Sequence, residues 1–380
     1  MILHVIDSLA PGGAERVLVE LVNGLHRRGV KVGICVTRSA VDLGQQVLEG
    51  VPLLVLARRN TWDRRALGEF LRYCREHHVS ILHAHGRGSM RLCALAKLLL
   101  RAAGHDIRVV FHDHFGSIEI DQSVPVKIRI PAQLLVDQYI GVSPTLERWA
   151  RERLGLPAAR TMVLGNAIDL GRFEHVTPLP RAELTDSPLP LLGIQIANFR
   201  RQKDHGLLIR AMARTTRARE RLHVLLLGLE GDPEYRAECK ALIAKLALDR
   251  NFTLLGARAD VPRLVASSDL GVLSSRSESG PIALLEYMAG GIPFVVTLTG
   301  QISEAVHAVG GFDGFVEPGD EQGFAAALDR FVSLSREERT RQGATGRSVV
   351  GTLFDIERQL DALQSVYARL DARESAGVRP

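Results

Sequence analysis

Short apolar runs and longer amphipathic stretches alternate along the first 170 residues, which is the pattern of strands and crossover helices in a parallel sheet. Residues 3–7, 30–36, 53–56, 81–84, 109–112 and 139–142 are β-branched or aliphatic and read as strands. Residues 14–28 instead place Val17, Leu18, Leu21, Val22 and Leu25 on one helical face, and they end in Arg27 and Arg28, where a helix dipole favours cations. The alternation stops at 177–190, where Pro178, Pro180, Pro188 and Pro190 interrupt any regular element. It resumes with strand patterns at 191–197, 223–227, 252–255, 270–273 and 294–297. Near the end, Phe354, Leu360, Leu363, Tyr367 and Leu370 recur close to helical spacing, so a long helix is expected to dock on apolar surface. The pattern predicts an α/β chain of two doubly wound domains, at 1–175 and 191–350. A linker is expected at 176–190, and a terminal helix at 351–380 packing back across the domains, frayed over 375–380.

Length agrees, since 380 residues exceed what one ordinary core organises. Hydrophobic residues at 46% and charged residues at 24% are globular values, and no uninterrupted apolar segment is long enough to span a bilayer. The first residues carry no basic region ahead of their apolar stretch, so an export signal is not expected and the chain is assigned to the cytoplasm. Cys35, Cys74, Cys93 and Cys239 are far apart without a C-x-x-C pair, which predicts buried thiols rather than a zinc site or disulfide framework. The net charge of +5 is uneven. Residues 1–170 hold 22 Lys and Arg against 16 Asp and Glu, and the remainder 26 against 27. Arg58-Arg59, Arg64-Arg65 and Arg148/Arg151/Arg153 are read first as solvated helix faces, with peripheral contact to anionic membrane as the functional reading. Aromatics at 5% and the lack of any base-stacking or groove-reading motif exclude nucleic acid as a partner.

In open α/β sheets ligands bind beyond the carboxyl ends of strands, so the chemistry is sought in those loops. The first loop, Ala10-Pro11-Gly12-Gly13-Ala14-Glu15-Arg16, lets backbone approach a ligand and offers N–H groups to a phosphate at a helix start; as a lone pattern it reads equally as a tight turn. The segment from Ser274 to Pro293 is more informative. Ser279, Gly280, Pro281 and Ile282 open a helix where phosphate can dock, with Glu278 beside it. Glu286 lies two turns further on, among Leu284, Leu285, Met288 and Ala289. There a carboxylate is costly unless paired, and a ribose diol is a suitable partner.

The Glu278-x7-Glu286 pattern followed by Met-Ala-Gly-Gly-Ile-Pro resembles the retaining glycosyltransferases of family 4, which have the GT-B fold of two Rossmann-like domains around a cleft. Further matches are Gly12 to Arg16, His83-Ala84-His85-Gly86, Val142-Ser143, Asn166 to Asp169, Asn198 to Asp204, and Glu317 to Asp320. The resemblance implies that Glu278 sits near the donor sugar, Glu286 holds the ribose, and Gly12 and Gly13 lie close to the diphosphate. The family's Gly-Arg-x-x-x-x-Lys arrangement is altered here: Asn198 stands at the usual arginine position and Lys203 is kept. Lys203 is one of six lysines against 42 arginines, and a compact ammonium suits a phosphate. Arg200 and Arg201 both remain candidates for the second cation. The family also has an active-site histidine near His112-Asp113-His114, with His114 preferred over His112. A histidine pair around an aspartate suggests a metal, but no third ligand has suitable spacing in sequence and no Asp-x-Asp is present, so no cofactor and no metal are expected.

The implied activity is metal-independent transfer of a sugar, with retention, from a UDP- or GDP-sugar to a glycan or lipid-linked acceptor in polysaccharide assembly. Glu278, His114 and Lys203 form the catalytic set, and Lys203, Arg200, Asn198 and the Ser279-Gly280 amides bind the donor. The alternatives are a nucleotide-sugar 2-epimerase of the same fold and a catalytically silent nucleotide-sugar-binding subunit.

Overall fold

A computed structural model of the chain describes residues 1–60, 63–116, 118 and 121–377. Within the expected frayed end, residues 378–380 lie outside the described ones. The chain forms two units, the first built from residues 1–166 and 356–380 and the second from 167–355.

In the first unit the strands are β1 (Ile2–Ile6), β2 (Val32–Val36), β3 (Leu53–Val55), β4 (Ile81–His85), β5 (Arg108–Asp113), β6 (Gln138–Gly141) and β7 (Thr161–Val163). They alternate with α1 (Gly13–Arg27), α2 (Arg64–Glu76), α3 (Arg87–Ala102), α4 (Val126–Leu135) and α5 (Pro144–Glu152). All pair in parallel in the order β3-β2-β1-β4-β5-β6-β7. Strand alternation divides the side chains between two faces. Leu3, Val5, Leu82, Ala84, Val109 and Phe111 join one core with Phe70 of α2, Met90 of α3, and Leu146 and Trp149 of α5.

The second unit holds β8 (Leu191–Ile196), α6 (His205–Arg214), α7 (Arg217–Arg221), β9 (Leu222–Leu227), α8 (Pro233–Lys245), β10 (Phe252–Gly256), α9 (Val261–Ala266) and β11 (Leu270–Leu273). It continues through α10 (Ile282–Ala289), β12 (Phe294–Thr297), α11 (Gly300–Val309), β13 (Phe315–Val316), α12 (Glu321–Ser333) and α13 (Arg336–Leu353). Its sheet is parallel in the order β10-β9-β8-β11-β12-β13. One core lies under α6, α8 and α12, and the other under α9, α10 and α11.

Two boundaries differ from the sequence reading. The passage between units falls at Asn166/Ala167 rather than in the proline-rich stretch. The prolines at 178–190 do prevent helix, but Leu179, Leu184 and Leu189 between them are buried, and the first two dock with Phe173 on the second unit's core. The Leu179 amide is also pinned by Ser267 Oγ at 2.7 Å. The terminal segment is two helices. Residues 351–353 finish α13 of the second unit, and α14 (Ile356–Gly377) belongs to the first. Helix α14 buries Leu360, Leu363, Val366, Tyr367 and Leu370 and packs against α1, where Leu360 lies over Gly24. Arg28 at the end of α1 ties the pair by binding Glu357 and, at 2.8 Å, Asp361. The four cysteines are free and buried, as their spacing implied.

Candidate functional site

In each sheet the strand order reverses once, between β1 and β4 in the first unit and between β8 and β11 in the second. At such a point adjacent loops diverge to opposite faces and leave a crevice for a ligand. The predicted residues Lys203 and Glu278 lie in the two loops that leave the second sheet at its reversal.

The loop after β8 is held by backbone. Ala197 and Phe199 amides donate to Leu227 and Leu229 carbonyls at 2.8 and 3.0 Å, and the Leu229 amide donates to Asn198 Oδ1 at 2.8 Å. Only glycine fits at 228, because a Cβ there would lie 2.1 Å from the Ala197 carbonyl oxygen. Asn198 thus braces the loop after β9. Arg201 is turned away to Glu238, at 2.7 Å, and stands over the Tyr235 ring, so of these two exposed arginines Arg200 is the one without an acidic partner among the described residues. A short turn, Arg201–Lys203, leads to Asp204 in the left-handed region at φ 39°, where its carboxylate caps α6 through the Leu207 amide and binds Arg276 Nε at 2.6 Å. Ser274 Oγ donates to the Asp204 carbonyl at 2.9 Å, so the loops after β8 and β11 are stitched together.

That stitching brings Lys203 Nζ to within 2.5 Å of Glu278 Oε1, which also accepts from Ser275 Oγ at 2.6 Å. The lysine side chain keeps 22% exposure against 7% for the glutamate, so the ammonium is the reachable member of the pair. Gly300 opens α11 at φ 73° against the Glu278 backbone, where a Cβ would lie 2.5 Å from the carbonyl oxygen. Ser279 and Gly280 are half-buried, and they run into α10 with Pro281 as its N-terminal flank, one position earlier than the first-turn position read from sequence. No side chain caps that helix start, and Ile282 is its first residue. Glu286 is fully buried on α10 among Leu284, Leu285 and Met288. Its neighbour Tyr287 donates to the Val272 carbonyl and accepts from the Ile196 amide, both at 2.9 Å, and so locks α10 across β8 and β11.

In the first unit Gly12 flanks α1 and Gly13 begins it, again with no side-chain cap. The sheet face opposite the main core carries histidines. His4 on β1 pairs in register with His83 on β4, and His85 with His112 on β5, so all four point to one side and His114 follows beyond the strand. Their rings form a ladder: His83 and His85 stack at 4.5 Å between centroids, His85 and His114 at 5.3 Å, and His112 and His114 lie 4.2 Å apart. His112 is fully buried whereas His114 is partly exposed, so His114 is the histidine a ligand can reach. Burial lowers His4 to about 3 and His114 to about 4, and pushes His83, His85 and His112 well below the usual imidazole range. Asp113 faces the other side and accepts from Tyr139 Oη at 3.3 Å and the Phe115 amide at 3.1 Å; burial raises its pKa although Arg87 opposes this.

Sequence spacing missed the members of this cluster supplied by other strands. His4, His83 and His85 meet the His112-His114 pair only through sheet register, and Tyr367 arrives from α14, with its Oη 2.6 Å from His83 Nδ1. Spacing along the sequence offered no third partner for His112 and His114, and sheet register brings His85 beside them. Ser275, Asp204 and Arg276, which organise the Lys203–Glu278 pair, were legible only as loop residues.

Comparison with known proteins agrees with both halves. Residues 11–172 match the model described as Glycosyltransferase Family 4, and residues 187–349 match Glycosyl transferases group 1. The chain is 28% identical over 315 residues to N-acetyl-alpha-D-glucosaminyl L-malate synthase of Bacillus anthracis, covering 80% of this chain and 79% of that one. It is 23% identical to the putative glycosyltransferase EpsF of Bacillus subtilis over 96% of each. Among solved structures, Anabaena HepE in complex with UDP-glucose superposes with a TM-score of 0.79 at 19% identity, over 97% of this chain and 99% of that one. With two parallel α/β units and family models matching both, the chain belongs to the family 4, group 1 glycosyltransferases of the GT-B fold.

Proposed function

We propose that the enzyme transfers a sugar with retention from a nucleoside-diphosphate sugar, a UDP-sugar before a GDP-sugar, and that the reaction needs no metal. The observation that carries this reading is the Lys203–Glu278–Ser275 knot at the strand-order reversal of the second sheet. As the bond from the sugar C1 to the diphosphate breaks, negative charge grows on the phosphate, and a preorganised cation lowers the barrier more than a mobile one. Lys203 supplies that cation, held by Glu278, and the Ser279-Gly280 amides with Arg200 complete the charge balance. One Glu278 oxygen is engaged by an ammonium and a hydroxyl, an arrangement that suits positioning of sugar and lysine rather than nucleophilic attack. The acceptor proton then passes to the departing phosphate oxygen, which is retained beside the same sugar face. Glu286 takes the ribose diol, Gly12 and Gly13 approach the diphosphate, and His114 approaches the transferred sugar. HepE was solved with UDP-glucose, which supports uracil as the base to test first.

The acceptor is a glycan or a lipid-linked sugar of polysaccharide assembly, reached by peripheral contact with the cytoplasmic face of a membrane. Among the described residues no helix is long and apolar enough to cross a membrane. On α4, however, Val126, Ile130 and Leu134 are 68%, 51% and 73% exposed at successive turns, beside Lys127 and Arg129, a composition suited to an anionic lipid surface. The test is a thermal-shift panel of UDP, GDP, ADP and CMP followed by anomeric assignment of the product by NMR. A rise in Tm with UDP and an axial or equatorial linkage matching the donor are expected. Inversion, or no shift with any nucleotide, contradicts the reading.

A further inference from the structure

The proposed reaction gives His114 to the transferred sugar, and the groups behind that ring decide which of its nitrogens carries the proton. We propose that a hydrogen-bonded row running from His83 through Tyr367, His4 and His85 fixes the tautomer of His114, so that its neutral imidazole keeps the proton on Nδ1 and meets an oxygen of the sugar as a hydrogen-bond donor. The sugar contact rests on the place given to His114 above, whereas the row stands on geometry alone.

Four contacts make the row. His83 Nδ1 lies 2.6 Å from Tyr367 Oη, and Tyr367 Oη lies 3.4 Å from His4 Nε2. His4 Nδ1 is 3.0 Å from His85 Nε2, and His85 Nδ1 is 3.1 Å from His114 Nε2. Burial keeps the rings neutral, lowering His4 to about 3, His114 to about 4 and His83 and His85 well below the usual imidazole range, and it pushes the Tyr367 hydroxyl up so that it keeps its proton. Each of the five groups then holds one exchangeable proton, and four of these occupy the four bonds. The fifth must sit at one end. Because a neutral imidazole donates from one nitrogen and accepts at the other, the direction of any one bond sets the direction of all.

If the bonds run towards His83, every ring in the row is protonated on Nε2 and the spare proton falls on His83 Nε2. If they run towards His114, every ring is protonated on Nδ1 and the spare proton falls on His114 Nδ1. His83 Nε2 is buried without a hydrogen-bond partner, whereas His114 is the partly exposed member of the row. In the first direction that buried atom is an N–H without an acceptor; in the second it is a bare lone pair, and buried N–H groups are the ones proteins least often leave unanswered. The row therefore runs towards His114. His112 stands outside it, since neither of its nitrogens has a partner, and its ring packs 4.2 Å from that of His114 without setting the direction. A neutral N–H at His114 offers the sugar a donor without adding positive charge beside a C1 that itself becomes positive as the donor bond breaks. His85 is then a positioning residue acting through His114, and His4, Tyr367 and His83 set the direction in which it donates.

The test is the ¹⁵N spectrum of the full chain labelled in histidine, in which protonated and bare imidazole nitrogens resonate far apart. At neutral pH the signals that vanish in His114→Asn are expected to show Nδ1 protonated and Nε2 bare in the parent, with the same pattern for His4, His83 and His85. A proton on His114 Nε2, or an even mixture of tautomers, overturns the inference. His85→Phe keeps a ring and removes the donor. In that variant His114 should lose its single tautomer, and kcat should fall about tenfold with KM little changed, the scale of one net hydrogen bond. A His114 that keeps Nδ1–H alone in folded His85→Phe also overturns it. If His85→Phe does not fold, as its melting curve would show, substitution at 114 gives the functional reading. Asn places its amide nitrogen near the position of Nδ1 and Gln near that of Nε2, so His114→Asn should keep about tenfold more kcat than His114→Gln, again the scale of one hydrogen bond. Equal loss in both contradicts donation from Nδ1. The spectrum is recorded without donor or acceptor, so its failure and that of the transferase reading are separate results.

Discussion

At the scale of single residues, the proposed chemistry turns on an ammonium that is charged, reachable and already held. Lys203→Arg keeps the charge but replaces a compact ammonium with a planar fork that must be accommodated against Glu278 and Ser275, so partial activity is expected, in kcat rather than KM. Glu278→Gln preserves shape and removes the charge that fixes Lys203; transfer is expected to fall by tenfold or more while the melting point moves little, as steady-state kinetics and thermal scans would show. Gly228→Ala is expected to fold poorly or with an altered loop after β8, because the added carbon meets backbone 2.1 Å away, and a cost of about 1–3 kcal/mol should appear in urea unfolding. His205, at the start of α6, is stacked on Phe199 and lowered to about 4 by burial. Its folded pKa lies below the unfolded value of about 6.5, so the unfolded chain binds more protons in between. Its contribution is intact above pH about 6.5 and is lost towards pH 4, at no more than about 1.4 kcal/mol per pH unit. Tm measured from pH 7 to 4.5 should therefore fall less steeply in His205→Gln than in the parent. Equal slopes would mean that this histidine does not titrate as described.

Among elements, strands were easier to read than what joins them. Buried strands such as β11 and β12 stand at the positions their short, mostly apolar runs predict, since both faces are covered and such a run needs no alternation. The edge strands β7 and β13 have three and two residues, too few to carry any period. Helix α13 has a polar sequence with three glycines, and its packing against α10 depends on the absence of side chains, which hydrophobic spacing does not register. The Glu278-x7-Glu286 signature was visible because both carboxylates belong to one loop and helix. The histidine ladder was not, because its members come from three strands, a post-strand loop and register is a tertiary property. Helix α14 gives an element-scale test. Leu360→Ala or Leu363→Ala removes a fully buried side chain and is expected to cost about 2–5 kcal/mol by denaturant unfolding, with the loss in the first unit.

For the molecule as a whole, the two units differ in how they can be cut. The second is continuous from 167 to 355 and has two cores of its own, so that fragment is expected to fold alone with a cooperative thermal transition. The first is discontinuous: residues 1–166 without α14 would expose the α1 surface that Leu360 covers and the histidine face of the sheet on which Tyr367 rests, and aggregation on expression is expected. The central claim is that Lys203 meets the charge of a departing diphosphate without help from a metal. Its most direct measurement is the release of UDP from a panel of UDP-sugars in the presence of EDTA, comparing the parent chain with Lys203→Ala. The account predicts release by the parent and a loss of about 10²–10³-fold in the variant, the scale of removing one preorganised charge-stabilising group. An undiminished rate in Lys203→Ala, or release by the parent only when a divalent ion is restored, would contradict it.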